Sequence, residues 1–213
     1  MKPNTGNFIG RHAGWLAALC AVLAVLGFGA ALEGYSQAQH PLAWLGASGF
    51  PRALGFNLSG FVIPGVLAAV AAMALRSRLP GDAGWPARIG ARLLLLSALA
   101  FAAQGLLPLD PDDLDGQASQ WHATAWTLWW IASAAGAVSI AGGLLRRREW
   151  RAFAWVALIA SGLIAVFSLS PPGDWPVGIA PRIALGEWLV MLMLAGRAGA
   201  TRRSAPWARP HLT

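Results

Sequence analysis

The sequence predicts an all-α integral membrane protein, a six-transmembrane-helix bundle with both termini cytoplasmic, and three observations lead there. Of 213 residues, 56% are hydrophobic and only 12% are Asp, Glu, Lys or Arg, about half the charged share of soluble domains. Six apolar segments approach the roughly 20 helical residues that cross a hydrocarbon core about 30 Å thick. The basic residues, two excepted, fall in alternate loops. Such a composition excludes an ordinary soluble enzyme. It also removes nucleic acid as the partner that a net charge of +7 would suggest in a soluble chain; membrane lipids are the expected partners.

The chain reads as a single membrane domain over residues 1–213, with spans at about 13–32, 58–75, 93–109, 123–145, 152–170 and 181–196. The first follows Lys2 and Arg11, as a signal peptide would, but its uncharged run exceeds the usual 7 to 15 residues of a signal core, and it is read as a retained helix. The second to fifth spans carry no charged side chain. The sixth contains Glu187 and is long enough only if it starts near Pro181, a residue suited to a first helical turn because it has no N–H to leave unpaired. Continuous apolar runs, with no alternation, favour helices over a barrel, since each helix satisfies its own backbone.

Orientation follows from the arginines. Lys2, Arg11, Arg76, Arg78, Arg88, Arg92, Arg146, Arg147, Arg148, Arg151, Arg197, Arg202, Arg203 and Arg209 share one side, and only Arg52 and Arg182 lie on the other. By the positive-inside rule the first side is cytoplasmic, in a bacterial-type inner membrane. Glu33, Asp110, Asp112, Asp113, Asp115 and Asp174 fall outside. The outer loop 33–57 contains PLAWLGASGFPRALGF, too apolar for a plain linker, and reads as an interfacial or re-entrant segment packed on the bundle. A lone cysteine, Cys20, excludes an intramolecular disulfide and any C-x-x-C motif.

Ser36 to His40-Pro41, Gly46-Ala47, Phe56-Asn57, Ser59-Gly60-Phe61, Pro64-Gly65, Leu107-Pro108-Leu109-Asp110 and His122 occur in that order. In this the chain resembles a bacterial six-span membrane family known as domain of unknown function 998. The resemblance covers most of residues 30–125 and implies the six-span fold; the family brings no established activity.

Chemistry is expected at the outer face. His40, Asp110, His122 and Glu187 all lie near outer span ends or in the long loop, and two imidazoles with one or two carboxylates would make a zinc set with room for an activated water. Glu187, His122 and Asp110 would then be catalytic in hydrolysis of a lipid-like substrate. Each also has a structural reading: His40 bonding a carbonyl, His122 as an amphipathic ring at a span entrance, and Asp110 heading the turn DPDDLDG. A carboxylate inside a span costs about 2.5–3.5 kcal/mol on insertion scales. Counted from Ile183, Glu187 would sit about 6 Å in, within reach of His122 or Arg52. Arg52 and Arg182 could grip a lipid headgroup or pair with Asp110 to Asp115. Trp126, Trp129 and Trp130 follow His122 at helical spacing and could line a cavity or form packing. Three functions stay open: binding of a lipid headgroup or small amphiphile in an outer cavity, metal-dependent hydrolysis, and proton-coupled transport through Glu187.

Overall fold

The computed structural model describes residues 5–169 and 173–199. Lys2, Arg202, Arg203 and Arg209, which entered the topological argument, lie outside the described residues. Among the described residues there are helices and no strands: α1 (Thr5–Ala31), a 3-10 turn (Leu42–Gly46), α2 (Ala53–Arg78), α3 (Trp85–Leu106), α4 (Gln117–Leu144), α5 (Arg151–Leu169) and α6 (Ile179–Ala195). Helices α1 to α5 are long and apolar enough to cross a membrane. Helix α6 has 17 residues, roughly 26 Å at 1.5 Å per residue.

Each helix packs on its neighbours in sequence, and α6 returns to α1, closing a ring. The interior is built from small residues and the exterior from large ones. Buried positions include Ala17, Ala21, Ala68, Ala72, Ala87, Ala91, Ala98, Ala157 and Ala184, whereas Leu19, Leu23, Leu26, Leu99, Ile131, Ile159 and Val166 are exposed. An apolar girdle outside an alanine core is costly in water and natural in lipid, where close backbone approach is what holds helices together. Gly90 on α3 meets the backbone of Gly136 on α4, and Gly65 on α2 meets that of Ala102 on α3; a Cβ at either glycine would lie about 2.6 Å from the facing helix. Large buried side chains gather in one aromatic column, Phe56, Phe61, Phe101, Trp129 and Trp188, with successive ring centroids 4.8–5.7 Å apart.

Prolines set the breaks. Pro64 cannot donate to the carbonyl one turn back, and the turn before it, Asn57–Val62, widens to π geometry. Pro108 keeps Leu107 out of the helical region (φ −123°, ψ 73°), so α3 ends at Leu106 rather than at the expected 109. The expected loop 33–57 is shorter than its sequence suggested, because Ala53–Phe56 already belongs to α2. What remains folds as turns and the 3-10 segment over one end of the bundle. Asn57 holds it there, its Nδ2 donating to the Gly46 carbonyl (2.9 Å), and the amide of Ser48 donates to Leu109 O (2.8 Å) in the α3–α4 turn. This end is called the rim; the opposite one carries most of the arginines.

Candidate functional site

At the rim, one guanidinium organises the loop. Arg182, in the first turn of α6, donates from Nε to Gln37 Oε1 (3.1 Å), from Nη1 to the carbonyls of His40 (3.0 Å) and Gly178 (2.7 Å), and from Nη2 to Gln37 Oε1 (2.9 Å) and the Tyr35 hydroxyl. All five of its N–H groups are thereby committed to neutral protein oxygens. Tyr35 in turn donates to Pro41 O (3.3 Å), and Gln37 Nε2 donates to Val25 O on α1 (2.9 Å). The Gly178 amide donates to Ala38 O (2.9 Å), and a Cβ on Gly178 would lie 2.6–2.7 Å from the carbonyl oxygens of Gln37, Ala38 and His40. Residues 35–41 are thus tied to α1 and to the start of α6. Burial pushes the Tyr35 phenol above its ordinary value, while the charge and hydrogen bond of Arg182 pull it back.

This arrangement answers the expectations about the arginines. Arg182 pairs with no acid and has no N–H left for a phosphate. Arg52 is exposed, holds a left-handed backbone (φ 63°) at the start of α2, and makes no ion pair among the described residues. The two do not act together on a headgroup.

Nor do the four expected metal ligands converge. His40 Nδ1 accepts the Ser36 amide (2.9 Å), and its ring stacks between Tyr35 (5.5 Å) and Trp44 (4.9 Å). Asp110 Oδ1 accepts the amide of Asp112 (3.1 Å), and its backbone is pinned by the buried Ser119 hydroxyl, which accepts from Asp110 N and donates towards Asp110 O and Asp113 O. Glu187 lies eight residues into α6, which begins at Ile179 and not Ile183, roughly 12 Å along the helix from its start. It makes no hydrogen bond or ion pair among the described residues. Among the described residues no group of three or more His, Cys, Asp or Glu could hold a metal ion. The zinc set is corrected accordingly.

His122 is where sequence and structure meet. Helix α3 stops before Pro108, leaving the Leu107 carbonyl without a helical donor, and His122 Nδ1 lies 2.8 Å from it. A carbonyl only accepts, so Nδ1 carries a proton. His122 is only 7% exposed and Phe61 meets it edge-on at 6.2 Å. It lines a cavity of about 230 Å3 with Pro41, Leu42, Ala43, Phe61, Gln104, Ala123, Trp126 and Pro181. Gln104, 1% exposed, has no hydrogen-bond partner in the protein for its Nε2. Trp126 lines the cavity as expected; Trp130 packs on the helical core and does not line it. A second recess of about 180 Å3, between α1 and α6, offers no polar group except the committed Arg182.

Sequence reasoning did not place Gln104 beside His122. The usable signal is the helical hairpin itself: flanking the turn 107–116 on antiparallel helices, residues 104 and 122 fall at nearly one level. Gln37 and Tyr35, which hold Arg182, carry no such signal. Comparison with protein families, curated proteins and solved structures finds no match.

Proposed function

We propose that this chain is a six-span protein of a bacterial-type inner membrane, termini cytoplasmic, that binds one small amphiphile in the rim cavity. The topology is supported by the one-sided distribution of arginine and by a sixth helix at the short end of spanning length. The binding role rests on a single observation: an apolar cavity at the rim, with His122 and Gln104 the only polar side chains among its lining residues. At about 230 Å3 the cavity is below the roughly 300–1,000 Å3 of drug-sized sites, so it suits a head and a few carbons, not a whole phospholipid. Glu187 and the metal chemistry have no part in it.

Two experiments test the reading. In a Cys20→Ala background, Leu114→Cys should react with an impermeant maleimide on intact cells, and Gly81→Cys only after permeabilisation; the reverse pattern inverts the topology. Native mass spectrometry should find one small amphiphile retained by the parent protein and absent from Ala43→Trp, which fills the cavity. Equal retention by both proteins contradicts the assignment.

A further inference from the structure

The end opposite the rim holds another recess, of about 220 Å3, lined by Gly10 and Arg11 of α1, Ala74 and Arg78 of α2, and Gly196 and Gly199 beyond α6. All but two of its lining residues are Gly or Ala. The space is thus left by missing side chains, at a place where three helix ends pack closely. A Cβ on Gly10 would lie 2.5 Å from the Ala74 methyl, and one on Gly196 would collide with the Arg11 carbonyl oxygen. The two remaining residues are both cations, and in contrast to the rim cavity the walls present polar atoms to the space.

The charges at this recess are unbalanced. Arg78 donates from Nε to Ala74 O (2.9 Å), from Nη1 to Gly196 O (2.9 Å) and Ala198 O (3.3 Å), and from Nη2 to Ala195 O (2.7 Å). Four of its N–H groups thereby meet neutral oxygens and one is left over. Arg11 is exposed and makes no hydrogen bond or ion pair among the described residues, so its whole fork of N–H groups remains. Arg197, next to Gly196, sets a third guanidinium 5.4 Å from the Trp15 ring, one helical turn along α1 from Arg11. Carbonyls satisfy N–H groups without neutralising charge, and like charges gathered at one recess oppose the packing that brings them together. The acids of the chain do not answer them. Asp82 and Glu149 are the two in the loops of this end; Asp82 pairs with Arg147 and Glu149 does not line the recess. Residues 1–4 and 200–213 contain neither Asp nor Glu.

We infer that this recess binds a phosphate-bearing anion, the headgroup of an anionic membrane lipid or a soluble phosphate, gripped by Arg11 with the charge of Arg78 beside it. A planar guanidinium meets two phosphate oxygens at once. The ends of spanning helices lie at headgroup depth, where basic pockets between helices take anionic heads. The site is separate from the rim cavity and does not depend on what binds there.

The test is thermal unfolding of the purified full chain in a mild non-ionic detergent with three probes: dihexanoyl phosphatidylglycerol, dihexanoyl phosphatidylcholine and inorganic phosphate. A ligand that binds only the folded protein raises Tm saturably. Phosphatidylglycerol is expected to do so, with the zwitterionic phosphatidylcholine at least tenfold weaker. Inorganic phosphate acting as strongly as phosphatidylglycerol assigns the site to a soluble anion, and its failure to act assigns the site to a lipid headgroup. Arg11→Gln should raise the concentration needed about five- to tenfold, the contribution of one arginine near an anionic surface. Arg11→Glu puts a carboxylate beside Arg78 and should abolish the response. Arg78 itself is left intact because it ties α2 to the end of α6. Ala43→Trp, which fills the rim cavity, should respond as the parent does. No response to any probe, equal responses to the two lipids, an undiminished response in either Arg11 variant, or loss of the response in Ala43→Trp overturns the assignment.

Discussion

At the level of single residues, the rim contains two polar side chains with opposite standing. Arg182 is fully satisfied: five N–H groups reach four neutral oxygens drawn from Tyr35, Gln37, His40 and Gly178. Gln104 is buried and its amide nitrogen has no partner in the protein. Opposite consequences are expected. Arg182→Met keeps most of the stem but strands the oxygens it served, and should cost about 2–4 kcal/mol, seen as a lower Tm and as proteolytic cutting within residues 33–41. Gln104→Met removes a buried donor that folding does not use. Its stability should match or exceed the parent's by up to about 1 kcal/mol, seen as an equal or higher Tm. A clear loss of stability in Gln104→Met would mean that the amide has a structural partner. The contrast also separates the arginines that the sequence alone could not: Arg52→Gly, at an exposed left-handed position, should stay within about 1 kcal/mol of the parent.

At the level of elements, α6 is anchored by its first residue boundary, where Gly178 sits beneath the carbonyls of the loop. Gly178→Ala would put a methyl 2.6 Å from the His40 oxygen, whereas a Cβ at Gly186, eight residues on, meets nothing within 4 Å. Gly178→Ala is therefore expected to destabilise by about 1–3 kcal/mol. Gly186→Ala should be neutral or stabilising by up to about 1 kcal/mol through helix propensity. Thermal unfolding of the two variants side by side checks this, and equal losses would mean that the loop does not bear on α6. The same boundary explains what the sequence made legible. Helices occupy all six apolar segments because hydropathy over some twenty residues needs no knowledge of neighbours. The site depended on registers that hydropathy does not encode. Starting α6 four residues earlier than Ile183 puts Glu187 eight residues into the helix rather than four. Ending α3 before Pro108 frees the carbonyl that orients His122. Arg182 and Gln37 are 145 positions apart, and only the closing of α6 against α1 brings them together.

Across the whole molecule, the two ends are held by different physics. The rim is fixed by hydrogen bonds among neutral oxygens and one arginine. At the opposite end Arg78 donates to the carbonyls of Ala195, the last residue of α6, and of Gly196 and Ala198 just beyond it, where a cation suits the negative end of the helix dipole. There too lies the single ion pair among the described residues, Arg147 with Asp82 at 2.9 Å, joining the α2–α3 loop to the α4–α5 loop. The Arg147 hydrogen bond, ahead of its charge, holds the Asp82 carboxyl below the usual carboxylate range. A carboxyl lowered in the folded state adds stability that is complete above its unfolded pKa and is lost as pH falls through the folded value. The pair is exposed and salt-screened, so its effect is local. Hydrogen exchange at residues 79–84 and 145–150 should stay slow down to the ordinary carboxylate range, quicken only below it, and lose that step in Asp82→Asn. Exchange at residues 35–41, whose ties contain no carboxylate, should not change over the same interval. A simultaneous acid transition at both ends would mean that the ring of helices opens as one unit and that the rim cavity is not independent of the arginine-rich end.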